Sequence, residues 1–422
     1  MTFQEQNQFL TQRRWRVLAA CCITNLCLGA PYAWSVFAGP LAEHLNALHG
    51  TAMTASDLAL AFSFSSSLTF ITMIAGGYLE KKIGARRIIF AGVILFGIGF
   101  LVCGMARSVL AVIFGFGVIG GLANGLGYVC TVSTAVKFFP DKKGLIGGIS
   151  TASYGISSVI IPPIADALNR SVGISRAFTI FGIAIIGIGG LCSLFILNCP
   201  DDYTPTGWNG GSSGAAGTSR DMTALQMLAS PIFYVMLAMM FIGATIGLMM
   251  ISETAAIAQT MLGMSSSAAA LIVSTYALFN TGSRIVVGWI SDKIGRIRTI
   301  TYVLVLMVLS LLAIYLSGLN GNTFLFRAGI CLIGFSYGSF MGIYPAFTSD
   351  QFGVKYSALN YGILFIGFSL AGVVGPLIMQ KIFSEFASYR PSFPIAIVFA
   401  LIGIALTFLY RAVNRKLAQK SA

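Results

Sequence analysis

GYLEKKIGARR at residues 77–87 and GWISDKIGRIR at residues 288–298 are two copies of one short loop, with Gly84 and Gly295 in register and basic residues on both flanks. Each copy follows the second of a series of long apolar runs, so the chain repeats an order of elements and not merely a few letters. A helix needs about 20 apolar residues to cross ~30 Å of hydrocarbon. Scanning outward from the first copy at that length predicts spans near 15–38, 56–79, 88–106, 109–136, 144–168 and 177–198. Around the second copy the spans fall near 230–257, 267–290, 299–319, 323–347, 357–381 and 389–410. The expected fold is an all-α membrane protein of twelve transmembrane helices in two six-helix bundles, residues 1–198 and 230–422. A cytoplasmic linker, 199–229, joins them; its NGGSSGAAGTSR (209–220) has the Gly and Ser content of a mobile tether.

Composition agrees with a lipid environment. Hydrophobic side chains make up 56% of the 422 residues and charged ones 9%, against about a quarter charged in a soluble protein. The net charge of +13 is scattered in short groups between apolar runs. It reads as a topology signal, and no nucleic-acid partner is expected. With both termini in the cytoplasm, nineteen of the 26 Lys and Arg lie on the inner side and six on the outer, the asymmetry expected of a multi-pass protein of a bacterial inner (plasma) membrane. The first apolar run follows Arg13, Arg14 and Arg16 but is too long for a signal peptide and lacks a cleavage pattern, so it is read as a retained helix.

Several chemistries are disfavoured. The eight cysteines form no CxxC pair and have no nearby His, so they read as small buried hydrophobes and not metal ligands. His44 and His49, the only histidines, share one predicted loop, which argues against haem ligation and a Ser-His-Asp triad. There is no GxxxxGK[ST] pattern to bind ATP. No nucleophile–base pair falls within the spans, so neither an enzyme nor a cofactor is expected.

The residue left unexplained is Arg284. It lies eight residues before Asp292, about 12 Å along a helix and so near the bilayer midplane. Burying a guanidinium there costs at least ~2.5–3.5 kcal/mol, which makes a functional site the default reading and a structural ion pair the plain one. Glu253 is the only carboxylate well inside a predicted span, so the cation awaits an anion, and its planar fork matches a carboxylate. Asn280, one turn away on the same face, could share the ligand, orient the guanidinium, or bond a neighbouring helix. Tyr32, Tyr128, Tyr154 and Tyr337 sit in four different spans, either walling a small pocket or packing. Glu253 is a proton-carrier candidate, or else a helix-end carboxylate at the interface. Arg327, four residues into its span, can snorkel outward. GVIGGLANGLGY at 117–128 permits close helix contact.

Six plus six spans with the repeated loop resemble the major facilitator superfamily, and GWISDKIGR at 288–296 is close to its loop signature. The first copy departs from that signature: Lys81 stands where the acid would be, with Glu80 one place earlier. Within the superfamily the chain resembles the oxalate/formate antiporter family, close to the monocarboxylate porters, over essentially its whole length. The resemblance rests on PYAWS (31–35), KFFPDKKG (137–144), TASYG (151–155), the Arg284 helix, YPAFTSDQFG (344–353) and NYG (360–362). It implies that Arg284 binds substrate, that Tyr32, Tyr128 and Tyr154 line the pocket, and that Tyr337 matches a pocket aromatic. It also implies a gating loop at Gly84, Asp292, Gly295 and Arg296. Phe368 stands where the oxalate carrier has a second cation, a Lys. One fixed positive charge suits one carboxylate, so the implied substrate is lactate or pyruvate, bound near the midplane, with protons as candidate coupling ion, lipid around the chain, and a monomer as the working unit. The rivals are an oxalate/formate-type exchanger, a sugar or drug carrier, and, in another class, a membrane carboxylate sensor.

Overall fold

The computed structural model describes residues 2–208 and 221–421. Among them the regular elements are all helical, and 12 helices are long and apolar enough to cross a membrane. The first six are α1 (Phe3–His49), α2 (Ala55–Ile83), α3 (Ala85–Gly104), α4 (Val109–Phe138), α5 (Lys143–Val172) and α6 (Ile174–Leu194). The second six are α7 (Pro231–Leu262), α8 (Ser266–Ile294), α9 (Arg296–Asn320), α10 (Thr323–Phe352), α11 (Ser357–Phe386) and α12 (Ser392–Leu417). Helices satisfy every backbone polar group within one segment, which is what hydrocarbon demands.

One boundary departs from the sequence reading. The stretch expected to be a loop holding His44 and His49 is helical, because α1 resumes after a single 3₁₀ turn at Ala30–Ala33 and runs to His49. Leu41, Ala42 and Leu45 continue a buried apolar face beyond the hydropathic window, and Gly50 ends the helix at φ +67°. His44 Nε2 lies 3.3 Å from Ser175 Oγ, and the His49 ring meets the Arg107 carbonyl.

By contact the chain forms two units. One comprises Met1–Asp141, Ile149–Gly210 and Val354–Ile363; the other comprises Lys142–Gly148, Gly211–Gly353 and Leu364–Ala422. Within the first unit, glycines of α4 set the core spacing. A Cβ on Gly121 would lie 2.6 Å from the Ser65 carbonyl oxygen, and one on Gly125 1.9 Å from that of Thr69. The α2 backbone therefore lies directly on the small-residue stretch 117–128. The same unit holds Val354–Ile363 against α2 and α4: Ser133 and Ser357 share a hydrogen bond of 2.8 Å, and Gly77 abuts Leu359. Within the second unit, Gly144 and Gly148 of α5 press on Gly288 and Arg284 of α8 in the same manner.

The flanks of the expected tether are docked. Tyr203 packs on Phe138 with centroids 5.5 Å apart, and the Met222 N–H donates to the Phe352 carbonyl at 2.9 Å. The tether reading itself falls on 209–220, outside the described residues.

Candidate functional site

In the second unit, Tyr276, Asn280 and Arg284 follow one another at four-residue spacing on one face of α8, and all three are buried. That face meets a glycine ladder on α10. A Cβ on Gly334 would lie 2.8 Å from the Tyr276 carbonyl oxygen, one on Gly338 1.9 Å from that of Asn280, and one on Gly342 2.4 Å from that of Arg284. Even alanine would force these helices apart, so the backbone carrying Arg284 is clamped by α10 on one side and by Gly148 of α5 on another, where the corresponding distance is 2.1 Å.

Arg284 as a whole residue is 5% exposed, and its guanidinium donates through Nη2 to Asn280 Oδ1 at 2.9 Å. An arginine has no acceptor, so the amide oxygen must face it and the amide nitrogen must face away. That nitrogen, Asn280 Nδ2, is buried and has no hydrogen-bond partner among the described residues. Buried polar groups are almost always satisfied. Here a cation and an adjacent idle N–H donor share one buried place, which suits an anionic acceptor.

An aromatic wall belongs to the same unit. Tyr337, on the α10 turn that packs against Asn280, stacks on Phe368 of α11 with ring centroids 6.5 Å apart and planes 10° apart. Gly247 of α7 makes room for it: a Cβ there would lie 2.1 Å from Tyr337 Cδ2. The Tyr276 hydroxyl donates to the Gly247 carbonyl at 3.0 Å, which fixes α7 to α8 at that level. Phe365 extends the wall, 4.6 Å from the Phe368 ring.

The other three tyrosines meet in the first unit. Tyr154 is central, 5.5 Å from the Tyr32 ring and 4.8 Å from the Tyr128 ring. Tyr32 sits on the 3₁₀ turn of α1 and is 46% exposed, while Tyr128 is buried. Asn124 Nδ2 donates to the Tyr154 hydroxyl at 3.2 Å and to the Leu28 carbonyl at 2.9 Å. The sequence reading passed over Asn124; its signal was an amide inside a glycine-rich apolar span.

Glu253 stands apart from Arg284. Its Oε2 accepts from the Tyr389 hydroxyl at 3.0 Å. Burial, with the Glu253 charge adding to it, pushes the Tyr389 phenol up to about 12, so it remains a donor at physiological pH.

The repeated loops turn on single glycines of matching geometry, φ +88° at Gly84 and +91° at Gly295. Only a residue without Cβ adopts that conformation cheaply. Asp292 pairs with Arg296 at 2.7 Å and caps α5, accepting from the Gly144 and Leu145 N–H groups at 2.8 Å each. Arg296 also reaches Asp350 at 2.8 Å, and Lys143 meets the same carboxylate at 2.8 Å. In the first copy Lys81 pairs with Asp201 at 2.7 Å, while Glu80 is buried against Lys137 of α4 at 2.5 Å. Lys137, one of the nineteen basic residues counted from sequence as topology charges, is in fact one half of a buried ion pair with Glu80.

A family profile described as the Major Facilitator Superfamily matches residues 19–376. The chain is 32% identical to the uncharacterized MFS-type transporter YhjX of Escherichia coli K12 over 85% of this chain and 86% of that one. It is 28% identical to the oxalate:formate antiporter of Oxalobacter formigenes, over 97% of this chain and 94% of the relative. It is 21% identical to monocarboxylate transporter 12-B of Danio rerio, over 95% and 87%. Among solved structures, the human organic anion transporter MFSD10 superposes with a TM-score of 0.71 at 14% identity, over 93% of this chain and 99% of that one. That likeness concerns the fold.

Proposed function

The chain belongs to the major facilitator superfamily, and from that membership we propose that it carries small monocarboxylates, lactate or pyruvate, across the bacterial inner membrane by alternating access. The observation that carries this reading is the pairing of a buried guanidinium with an unfilled amide N–H at Asn280. A carboxylate offers two oxygens and one negative charge, which match an idle N–H donor beside a cation. Relatives named for oxalate, formate and monocarboxylates support the substrate class. Phe368, packed on Tyr337, supports the restriction to one carboxylate, since a second charge against an aromatic ring lacks a partner. Tyr32, Tyr128 and Tyr154 are the proposed hydrogen-bonding wall for the rest of the substrate.

Coupling to protons is part of the proposal. Glu253 is the protein carboxyl assigned to load the proton, with Tyr389 as the donor that holds its side chain. The proposed working unit is a monomer with both termini in the cytoplasm, residues 1–198 and 230–422 as the two bundles and 199–229 as the linker. Gly84, Asp292, Gly295 and Arg296 are the proposed gating elements.

The test is uptake of radiolabelled lactate and pyruvate into proteoliposomes, with and without an inward proton gradient. Arg284→Ala is expected to reduce uptake about 100-fold or more, the effect of removing one member of a buried charge pair. Uptake indifferent to Arg284, or oxalate carried in preference to both acids, would overturn the assignment. Lactate uptake unaffected by the gradient but driven by internal lactate would move the coupling to exchange.

A further inference from the structure

A groove of about 160 Å³ lies between the N-terminal ends of α8 and α10, lined by Leu271, Ile272, Thr275, Ile330, Cys331 and Arg327 among others. It is separate from the Arg284 site, being about 12 residues, or ~18 Å, further along α8. Its walls are mostly apolar, and the two helices that form it carry exposed apolar side chains: Leu271, which lines the groove, by 67%, Leu278 of α8 by 60% and Phe324 of α10 by 79%. Exposed leucines and phenylalanine on spanning helices are the composition of a lipid-facing surface. A groove between two such helices, lined by the exposed Leu271, opens toward acyl chains.

Against that background Arg327 is out of place. It is exposed and, among the described residues, forms no ion pair or side-chain hydrogen bond. It lies four residues into α10, about 6 Å from the start of the helix. From there its side chain reaches the level at which lipid headgroups begin. The planar fork of an arginine pairs bidentately with phosphate oxygens, and one beside an apolar channel matches a ligand with an anionic head and an aliphatic tail.

We infer that the Arg327 groove is a binding site for an anionic phospholipid of the leaflet at the N-terminal end of α10, with the phosphate on Arg327 and the upper part of one acyl chain against Leu271, Ile272 and Ile330. The occupant is a lipid and not the transported acid because a free carboxylate of three carbons leaves the apolar walls uncovered.

Native mass spectrometry of the purified transporter in detergent, titrated with phosphatidylglycerol or phosphatidylcholine, tests this. The wild type is expected to retain one phosphatidylglycerol in preference to phosphatidylcholine. Arg327→Gln should weaken that binding roughly tenfold or more, the worth of a charge-assisted hydrogen bond, and Arg327→Lys should keep most of it. Leu271→Trp retains the charge but fills the groove, and is expected to weaken binding as well. Size-exclusion profiles check that each variant is folded, and the exposure of Arg327 makes its replacement mild. Equal retention of the two lipids, or undiminished phosphatidylglycerol binding by Arg327→Gln, overturns the inference. Displacement of the lipid by millimolar lactate would also overturn it, by making the groove a site for soluble anions.

Discussion

Replacing Asn280 by Asp changes almost nothing in shape and inverts the electrostatics of the candidate site. In the native chain the amide oxygen takes one guanidinium hydrogen at 2.9 Å and brings no charge of its own to Arg284. Asn280→Asp places a fixed carboxylate at that same distance and removes the idle Nδ2 donor. An incoming carboxylate then meets a neutralised pair. Two unit charges ~4 Å apart interact by about 4 kcal/mol at an effective dielectric constant near 20, which is the upper bound on the attraction lost. If hydration of the open site halves this, about 2 kcal/mol is left, or roughly a 30-fold rise in KM. The assay is initial-rate uptake of labelled lactate over a range of concentrations in proteoliposomes. Protein orientation and amount are matched to wild type, and folding is checked by thermal unfolding in detergent. A KM within twofold of wild type in a folded Asn280→Asp protein would refute the reasoning, because it would mean that the substrate does not use the charge of Arg284.

Phe368→Lys is expected to bring in a second cation beside Tyr337 and to improve oxalate uptake by about 10- to 100-fold, with lactate uptake reduced, as competition assays would show. Lys137→Met should destabilise the protein by about 3–5 kcal/mol because it strands Glu80, which is 7% exposed at its side chain. The double variant Glu80→Gln/Lys137→Met should recover most of the loss in a thermal-unfolding measurement. Asp292→Asn should impair transport and stability more than Asp201→Asn. Asp292 holds two backbone N–H groups and Arg296 at 14% exposure, whereas Asp201 is 46% exposed, a setting in which an ion pair contributes about 0–1 kcal/mol.

The architecture was legible in the sequence because lipid imposes one rule along the whole chain: apolar runs of fixed length, broken by charge. The Arg284–Asn280 contact was legible for a similar reason, since four-residue spacing on a helix dictates proximity. What escaped the reading depends on contacts between distant segments. Lys137 and Glu80 are 57 residues apart, and each stands near the end of its span, where a charge ordinarily marks topology. Lys143 and Asp350 are separated by 207 residues and carry the same ambiguity. The ladder Gly334, Gly338 and Gly342 was visible as letters, but only the packed helices show that it bears on the carbonyl oxygens of Tyr276, Asn280 and Arg284. The helical course of 39–49 was missed because a hydropathy window weighs average polarity, whereas α1 continues on the strength of one buried face.

The unequal repeat also has a physical account. Asp292 sits where a helix N-terminus needs an acid, and its two backbone bonds to α5 put a negative charge against the positive end of that helix. Lys81, in register with it, cannot do this: a cation at a helix N-terminus is repelled. The first unit supplies the missing acid from elsewhere. Asp201, in the stretch after α6, binds Lys81 through both oxygens at 2.7 and 2.9 Å and lies 3.8 Å from Lys355, two residues before α11 begins. A carboxylate between two lysines does for that end of the unit what Asp292 does for the other, but from a more exposed position and without backbone donors. The substitution at position 81 therefore leaves the charge balance of the loop in place while making its attachment weaker. On the proposed transport cycle the two loops would then release at different cost, with the Lys81 side yielding first.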